Sequence, residues 1–226
     1  MVKKMFLFFG LCCYSFAAKG QILVNTSNLR PAGDFNFEGD LGFSSVDYDS
    51  DSHTYSANRK ILGLGVVANI TSNLNFIGQL GYDFEGKIDD NWKGKGYIIG
   101  GGLNALLYKG SRVSFGGYGL LNYLAEDYKH VDNYKVKFGF SDLDFHVGAL
   151  LLFRASQNVT VYGGPDLVLY SKGAISFPHA SDIELERSHN INIKLGMDLQ
   201  LNKVTLRPEI TFLGEKTLVL GIGFSS

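Results

Sequence analysis

Hydrophobic and polar residues alternate with a period of two along most of this chain. From Asp34 to Phe43, Phe35, Phe37, Leu41 and Phe43 fall on one side, and Asn36, Glu38 and Asp40 fall on the other. A helix would scatter these residues round its circumference, whereas a strand sorts them onto two faces. The same sorting recurs at Leu62–Ile70, Leu74–Phe84, Tyr97–Leu107, Val113–Tyr123, Leu143–Phe153 and Val159–Leu169. It is cleanest at Ile191–Leu201, Val204–Phe212 and Leu218–Phe224. The pattern predicts ten strands, or eight if one weak hairpin pairs differently.

The connections alternate too. Brief ones fall at Thr71–Asn73, Lys109–Ser111, Ser156–Asn158 and Asn202–Lys203, and longer polar ones at Asp49–Asn58, Lys87–Lys93, Asp127–Lys137 and Lys172–Arg187. The connection Gly214–Lys216 is short although it belongs to the long-loop side. Brief periplasmic turns and longer outer loops are the rhythm of an up-and-down barrel in a membrane. The fold class expected is therefore all-β, a closed antiparallel up-and-down transmembrane β-barrel.

A soluble ligand-carrying barrel of lipocalin type is the main rival, and it would turn the apolar set inward. The polar set is rich in Gly and Asn and poor in Lys, unlike a water-exposed face and suited to a crowded interior. Tyr82, Phe84, Tyr97 and Tyr123 near the long loops, with Phe76, Phe115, Phe153, Phe212 and Phe224 toward the rims, fit two aromatic girdles. The apolar face is therefore read as facing lipid.

Composition agrees: Gly 28, Tyr 12 and Phe 17 against Pro 4 favour strands and tight turns. Past the leader no run of about 18 apolar residues exists to make a spanning helix. Residues 1–17 read as an export signal, with Lys3 and Lys4 before an apolar stretch and small residues before a cut after Ala17 or Ala18. Residues 18–33 form a short periplasmic lead-in, and 34–226 the barrel. Both cysteines, Cys12 and Cys13, fall in the leader, so disulfides play no part in the exported chain. Without Lys3 and Lys4 the balance is 19 basic to 22 acidic residues, which offers no basic surface for nucleic acid.

With its leader, ten alternating stretches and the ending TLVLGIGFSS, the chain resembles small porin-like outer-membrane β-barrel proteins of Gram-negative bacteria. The resemblance implies export to the outer membrane, contact with outer-membrane lipid, and assembly-machinery recognition of the last aromatic residue, Phe224, which here precedes two serines.

The inward set carries the candidate chemistry: Glu38, Asp40, Asp83, Glu85, Asp142, Asp144, His146, Arg154, Asp166, Lys194, Asp198, Arg207 and Glu209. Buried charges must be paired or hydrated, so the plain reading is a polar network that stiffens the lumen, with Arg154, Lys194 and Arg207 bridged by carboxylates. The acidic surplus would make any water path prefer cations. The sharper reading is Asp142-Leu143-Asp144-Phe145-His146, whose spacing of two puts three polar side chains on one inner face. That arrangement is similar to the omptin outer-membrane proteases, and the similarity implies Asp144 and His146 as a base pair and Asp83 and Glu85 as holders of the water. The strands are expected to be too short to rise far above the membrane. His130, His179 and His189 share no ligand spacing, so no metal and no cofactor is expected. The function expected is non-enzymatic: a structural or surface-interacting barrel with limited solute passage and polar loops open to a surface ligand. A narrow cation-preferring pore is the first alternative, and the barrel-mouth hydrolase is the second.

Overall fold

A computed structural model describes residues 35–225 except 52, 90, 179 and 180. The expected leader and lead-in, and His179, lie outside the described residues. All described elements are strands: β1 (Phe35–Asp49), β2 (Thr54–Thr71), β3 (Leu74–Ile88), β4 (Trp92–Lys109), β5 (Val113–His130), β6 (Lys137–Arg154), β7 (Val159–Ser176), β8 (Ile183–Arg187), β9 (Ile191–Leu201), β10 (Val204–Leu213) and β11 (Lys216–Ser225). Each pairs antiparallel with its neighbour, and β11 returns to β1 from Asn36↔Ser225 to Ser45↔Lys216. Ten strands thus close into a barrel that leaves no unpaired sheet edge.

The apolar set faces outward as expected. Phe37, Leu62, Leu64, Leu80, Tyr97, Ile99, Leu121, Leu151, Ile191, Leu220 and Phe224 are all exposed. On β5 the apolar outer stretch runs from Val113 to Tyr123. Its ten steps of about 3.3 Å, on a strand tilted about 40°, rise about 25 Å, the height of the apolar band of such barrels.

The strands do not stop there. Strands β2, β4, β5, β6 and β7 are each 18 residues long, against the 9–11 a bilayer needs. Segments read as long loops are largely strand: residues 50–53, 89–91 and 131–136 are what remains of three of them. The barrel therefore projects roughly 15–20 Å past the apolar band, correcting the expectation of short strands.

Polarity inverts in this projection. The outer wall there carries Lys60, Glu85, Lys93, Lys95, Asp127, Lys129, Lys137, Lys172, Glu184 and Glu186. Inside it, Val46, Tyr48, Ile61, Ile88, Ile98, Leu124, Tyr128, Phe138, Phe140, Ile175 and Leu185 pack into one apolar core. Tyr128 stacks on Phe138 at 5.2 Å, and Phe138 in turn meets Trp92 at 4.6 Å. The projecting part is built like a soluble protein and the lower part like a membrane protein.

The short strand β8 makes this possible. The β10–β11 hairpin turns early, at Gly214–Glu215, after strands of 10 residues each. Above its tip β8 continues the line of β9 along β7, through Ile175↔Ile183 and Gly173↔Leu185. It then pairs directly with β1 at Tyr48↔Arg187 and Asp49↔Glu186. Ten strands form the lower ring, and β1–β7 with β8 form an upper ring of eight. Segment 172–187, expected as a loop, supplies both the end of β7 and this closing strand. Leu213 takes φ 92° at the tip, a left-handed conformation that a bulky residue adopts only where its surroundings force it.

The lower interior is filled by tyrosines laid over cross-strand glycines. Tyr118 is paired with Gly148 and Tyr162 with Gly196, and in both cases a Cβ on the glycine would run into the ring. In the upper core Tyr128 lies over Gly94 in the same way, 2.7 Å from where its Cβ would stand. Glycine is needed here for close approach of a ring, not for an unusual backbone angle.

Candidate functional site

The inward charges form ion-paired clusters stacked along the lumen, and the one with most partners is centred on Arg187. β8 delivers this residue inward at the step between the ten- and eight-stranded rings, and its side chain is 1% exposed. Its Nη2 donates to Asp144 at 2.9 Å and stands 3.5 Å from Asp142, while Nη1 donates to Glu215 at 3.0 Å. Glu215, at the tip of the truncated hairpin, also accepts from Thr217, and its backbone N–H donates to Asn192 at 2.7 Å. Tyr48 donates to Asp142 at 2.7 Å and Asn122 to Asp144 at 3.0 Å.

His146 lies between two acids. Its Nδ1 is 3.0 Å from Asp166, and Nε2 stands 3.0 Å from Asp144 as a charge contact without hydrogen-bond alignment. Asp166 also accepts from Tyr118 at 2.8 Å and from Asn192 at 3.0 Å. Lys194 reaches Glu209 at 3.5 Å and sits 4.7 Å from the centre of the Tyr118 ring, and Tyr162 donates to Glu209 at 2.7 Å. Arg207 spans Glu38 and Asp198, each at 2.6 Å. Higher up, Arg59 donates to both oxygens of Glu126 at 3.1 Å, below Phe140 and Tyr48.

The structure thus brings together Glu38, Asp142, Asp144, His146, Asp166, Lys194, Asp198, Arg207 and Glu209, with Asp40 buried beside them. Two expected members are placed elsewhere. Glu85 does not face inward with Asp83: a bulge between Asp83 and Gly86 turns it to the outer wall, where it accepts from Lys60 at 2.6 Å. A bulge adds one residue to one strand, so every later side chain changes face. Arg154 is exposed at the short-turn mouth and makes no ion pair among the described residues. It lines a cavity of about 320 Å³ there with Lys109, Arg112 and Asp198. Asp83 is buried but accepts from the backbone of Lys60 and Glu85.

Four charged residues of these clusters escape the sequence reading: Arg59, Glu126, Arg187 and Glu215. For Arg187 a signal exists, since Ile183, Leu185 and Arg187 alternate with Glu184 and Glu186 inside the supposed loop. Glu126 falls in phase between Leu124 and Tyr128. Nothing local marks Glu215, because its burial depends on β8 passing over a turn.

No protein-family model matches the chain, and no curated protein matches it in sequence. Solved structures do. The outer membrane protease OmpT of Escherichia coli superposes with a TM-score of 0.55 at 7% identity, over 89% of this chain and 100% of that one. The translocator domain of the autotransporter NalP of Neisseria meningitidis gives 0.52 at 11% identity, over 86% and 89%. The transport unit of the autotransporter AIDA-I of Escherichia coli gives 0.52 at 11%, over 92% and 95%. The fold is that of outer-membrane β-barrels.

Proposed function

We propose that this chain is a non-enzymatic outer-membrane barrel that acts through its wall and projecting rim, with a lumen that serves as its structural core. The observation that carries this reading is the filled interior. Asn75, Leu120, Asp144, Asn192, Lys194, Tyr48 and Tyr128, spread from the lower lumen to the upper, are each 0% exposed. A water-filled path would leave its lining accessible, and these levels have none. Most of the charges left inside are paired with one another, as a structural network requires.

The outer-membrane address rests on the match between the apolar outer band and bilayer thickness, on closure, and on the leader expected at residues 1–17. The brief turns then face the periplasm and the projection faces outward. The catalytic alternative has less support: His146 is 1% exposed and engaged by two acids, and Glu85 lies outside the barrel.

Planar-bilayer recording tests the reading. Purified protein that shifts on unboiled gels as a folded barrel should leave the bilayer silent. Discrete, salt-dependent, cation-selective steps would replace this function with the pore.

A further inference from the structure

At the short-turn mouth the lumen is not filled. A cavity of about 320 Å³ opens there, walled by β4, β5, β6, β7, β9 and β10 and by the turns at 110–112 and 155–158. It is blind. Leu106 and Leu152 line its inner end, and Leu152 belongs to the apolar cluster with Tyr118, Leu120, Leu150 and Tyr162 that closes the lumen behind it. Its volume lies within the range of small-molecule pockets, about 300–1,000 Å³.

Three cations stand side by side on one wall of this cavity. Lys109 ends β4, Arg112 precedes β5 and Arg154 ends β6, and all three line the space. The Val113↔Phe153 register places Arg112 opposite Arg154, and the backbone N–H of Arg154 donates to the carbonyl of Arg112 at 2.8 Å. Lys109 is the cross-strand partner of Ser114, which is itself the partner of the inward Leu152. With strands about 4.8 Å apart, the three side chains are rooted across about 10 Å.

Like charges set opposite one another in a sheet repel. Elsewhere inside the barrel cations are answered: Arg59, Arg187, Lys194 and Arg207 each have a carboxylate within 3.5 Å. Lys109, Arg112 and Arg154 make no ion pair among the described residues. The one acid in the lining, Asp198, is held by Arg207 at 2.6 Å, and the turns 72–73, 110–112, 155–158 and 202–203 carry no Asp or Glu. A recess walled by protein focuses the field of its charges, so positive potential is concentrated where a ligand can enter. The facing wall presents Thr160, Gln200 and Thr205, neutral groups that both donate and accept hydrogen bonds.

We infer that this mouth cavity binds a small hydroxylated polyanion, one that carries at least two carboxylate or phosphate groups. Two guanidinium forks side by side each match an oxyanion bidentately, and Lys109 adds a mobile point charge. Thr160, Gln200 and Thr205 meet the ligand's hydroxyls from the other side. Leu106 and Leu152 are the only apolar side chains among the described residues of the lining, too few to hold an acyl chain.

The site stands on the cavity itself and holds whichever way the barrel faces in a membrane. Folded barrel in neutral detergent is titrated by calorimetry with citrate, fructose 1,6-bisphosphate, inorganic phosphate and glucose. Citrate or the bisphosphate should bind, one molecule per barrel, with a Kd below about 1 mM and more weakly as salt rises. Whichever binds more tightly assigns the carboxylate or the phosphate chemistry. R112Q/R154Q should weaken that binding by about tenfold or more, the loss expected for a charge-assisted contact. K93Q/K95Q/K129Q, which removes charge from the projecting wall, should bind as wild type does. Gln157→Glu sets a carboxylate at the exposed lip and removes no cation; it should also weaken binding, and it keeps the test decisive even if the double variant does not fold. No binding of either polyanion tighter than about 1 mM overturns the inference. So does inorganic phosphate or glucose binding as tightly as the better polyanion, or affinity that R112Q/R154Q and Gln157→Glu leave unchanged.

Discussion

Replacing Arg187 with methionine tests whether one buried cation holds the two rings of the barrel together. Methionine keeps most of the volume and removes the charge. The guanidinium touches Asp144 at 2.9 Å, Glu215 at 3.0 Å and Asp142 at 3.5 Å, and all three acids are buried. At an effective dielectric constant of about 20, two unit charges about 4 Å apart interact by about 4 kcal/mol. Three such contacts offset the desolvation of Arg187; without it, three carboxylates face each other with no cation between them. Breaking a buried pair from one side costs about 3–5 kcal/mol, a factor of about 140–3700 in the folding equilibrium at about 1.4 kcal/mol per tenfold. The single tryptophan, Trp92, sits in the upper core against Phe138 and reports this region by fluorescence. Urea titration in lipid vesicles should show the Trp92 transition of Arg187→Met shifted to lower denaturant by that amount. Adding Asp144→Asn and Glu215→Gln to the same chain should recover at least half of the loss. A Trp92 midpoint within about 0.5 kcal/mol of wild type would refute the reasoning, since it would place Arg187 among the surface pairs that contribute little.

Other outcomes follow from the same geometry. Phe140→Ala opens a cavity beside Tyr48 and Arg59 and should destabilise the fold by about 3–5 kcal/mol in the same titration. Gly148→Val drives a side chain into the Tyr118 ring, breaks its bond to Asp166 and should lose about 1–3 kcal/mol. Glu85→Gln should change stability by less than about 1 kcal/mol, because its partner Lys60 is on the exposed outer wall; a much larger loss would return Glu85 to the lumen. Lys60 holds the Glu85 carboxyl below its usual range, so what little that pair contributes is present at neutral pH and fades as acid protonates Glu85. Comparing acid titrations of wild type and Glu85→Gln reads this directly.

What the sequence shows and hides follows from contrast between neighbouring residues. A period of two is visible where one face is apolar and the other polar, as in Ile191–Leu201, and there the outward set and the inward residues Lys194 and Asp198 are read correctly. In Leu150-Leu151-Leu152-Phe153 both faces are apolar, so the buried Leu150 and Leu152 are indistinguishable from their exposed neighbours. Above the girdle the apolar face changes sides: Lys93 and Lys95 point out where Tyr97 and Ile99 did. Polar residues there look like loop, so the alternation alone ends the strands too early. Bulges add a second failure, because the shift at Asp83/Gly86 moves Glu85 across the wall while the sequence keeps its simple alternation. Arg187 and Glu215 come together from positions 28 residues apart only because a strand crosses a turn, a tertiary event with no local signature.

The step from ten strands to eight accounts for several of these features at once. A barrel's diameter grows with its strand number, so the lower ring encloses more width than the upper. Ion pairs and tyrosines seated on glycines span that width below, and the narrower ring above closes tightly on Phe138, Phe140 and Tyr128. The step itself leaves Glu215, at the tip of the β10–β11 hairpin, buried against Arg187 of β8, with polar groups that must find partners. Glu215 and Asn192 satisfy one another there, and Arg187 ties the tip to β6 through Asp144. The paired charges around Arg187 are thus where the change of ring size demands them, which ties them to the architecture of the wall and leaves the projecting surface as the part free to meet partners.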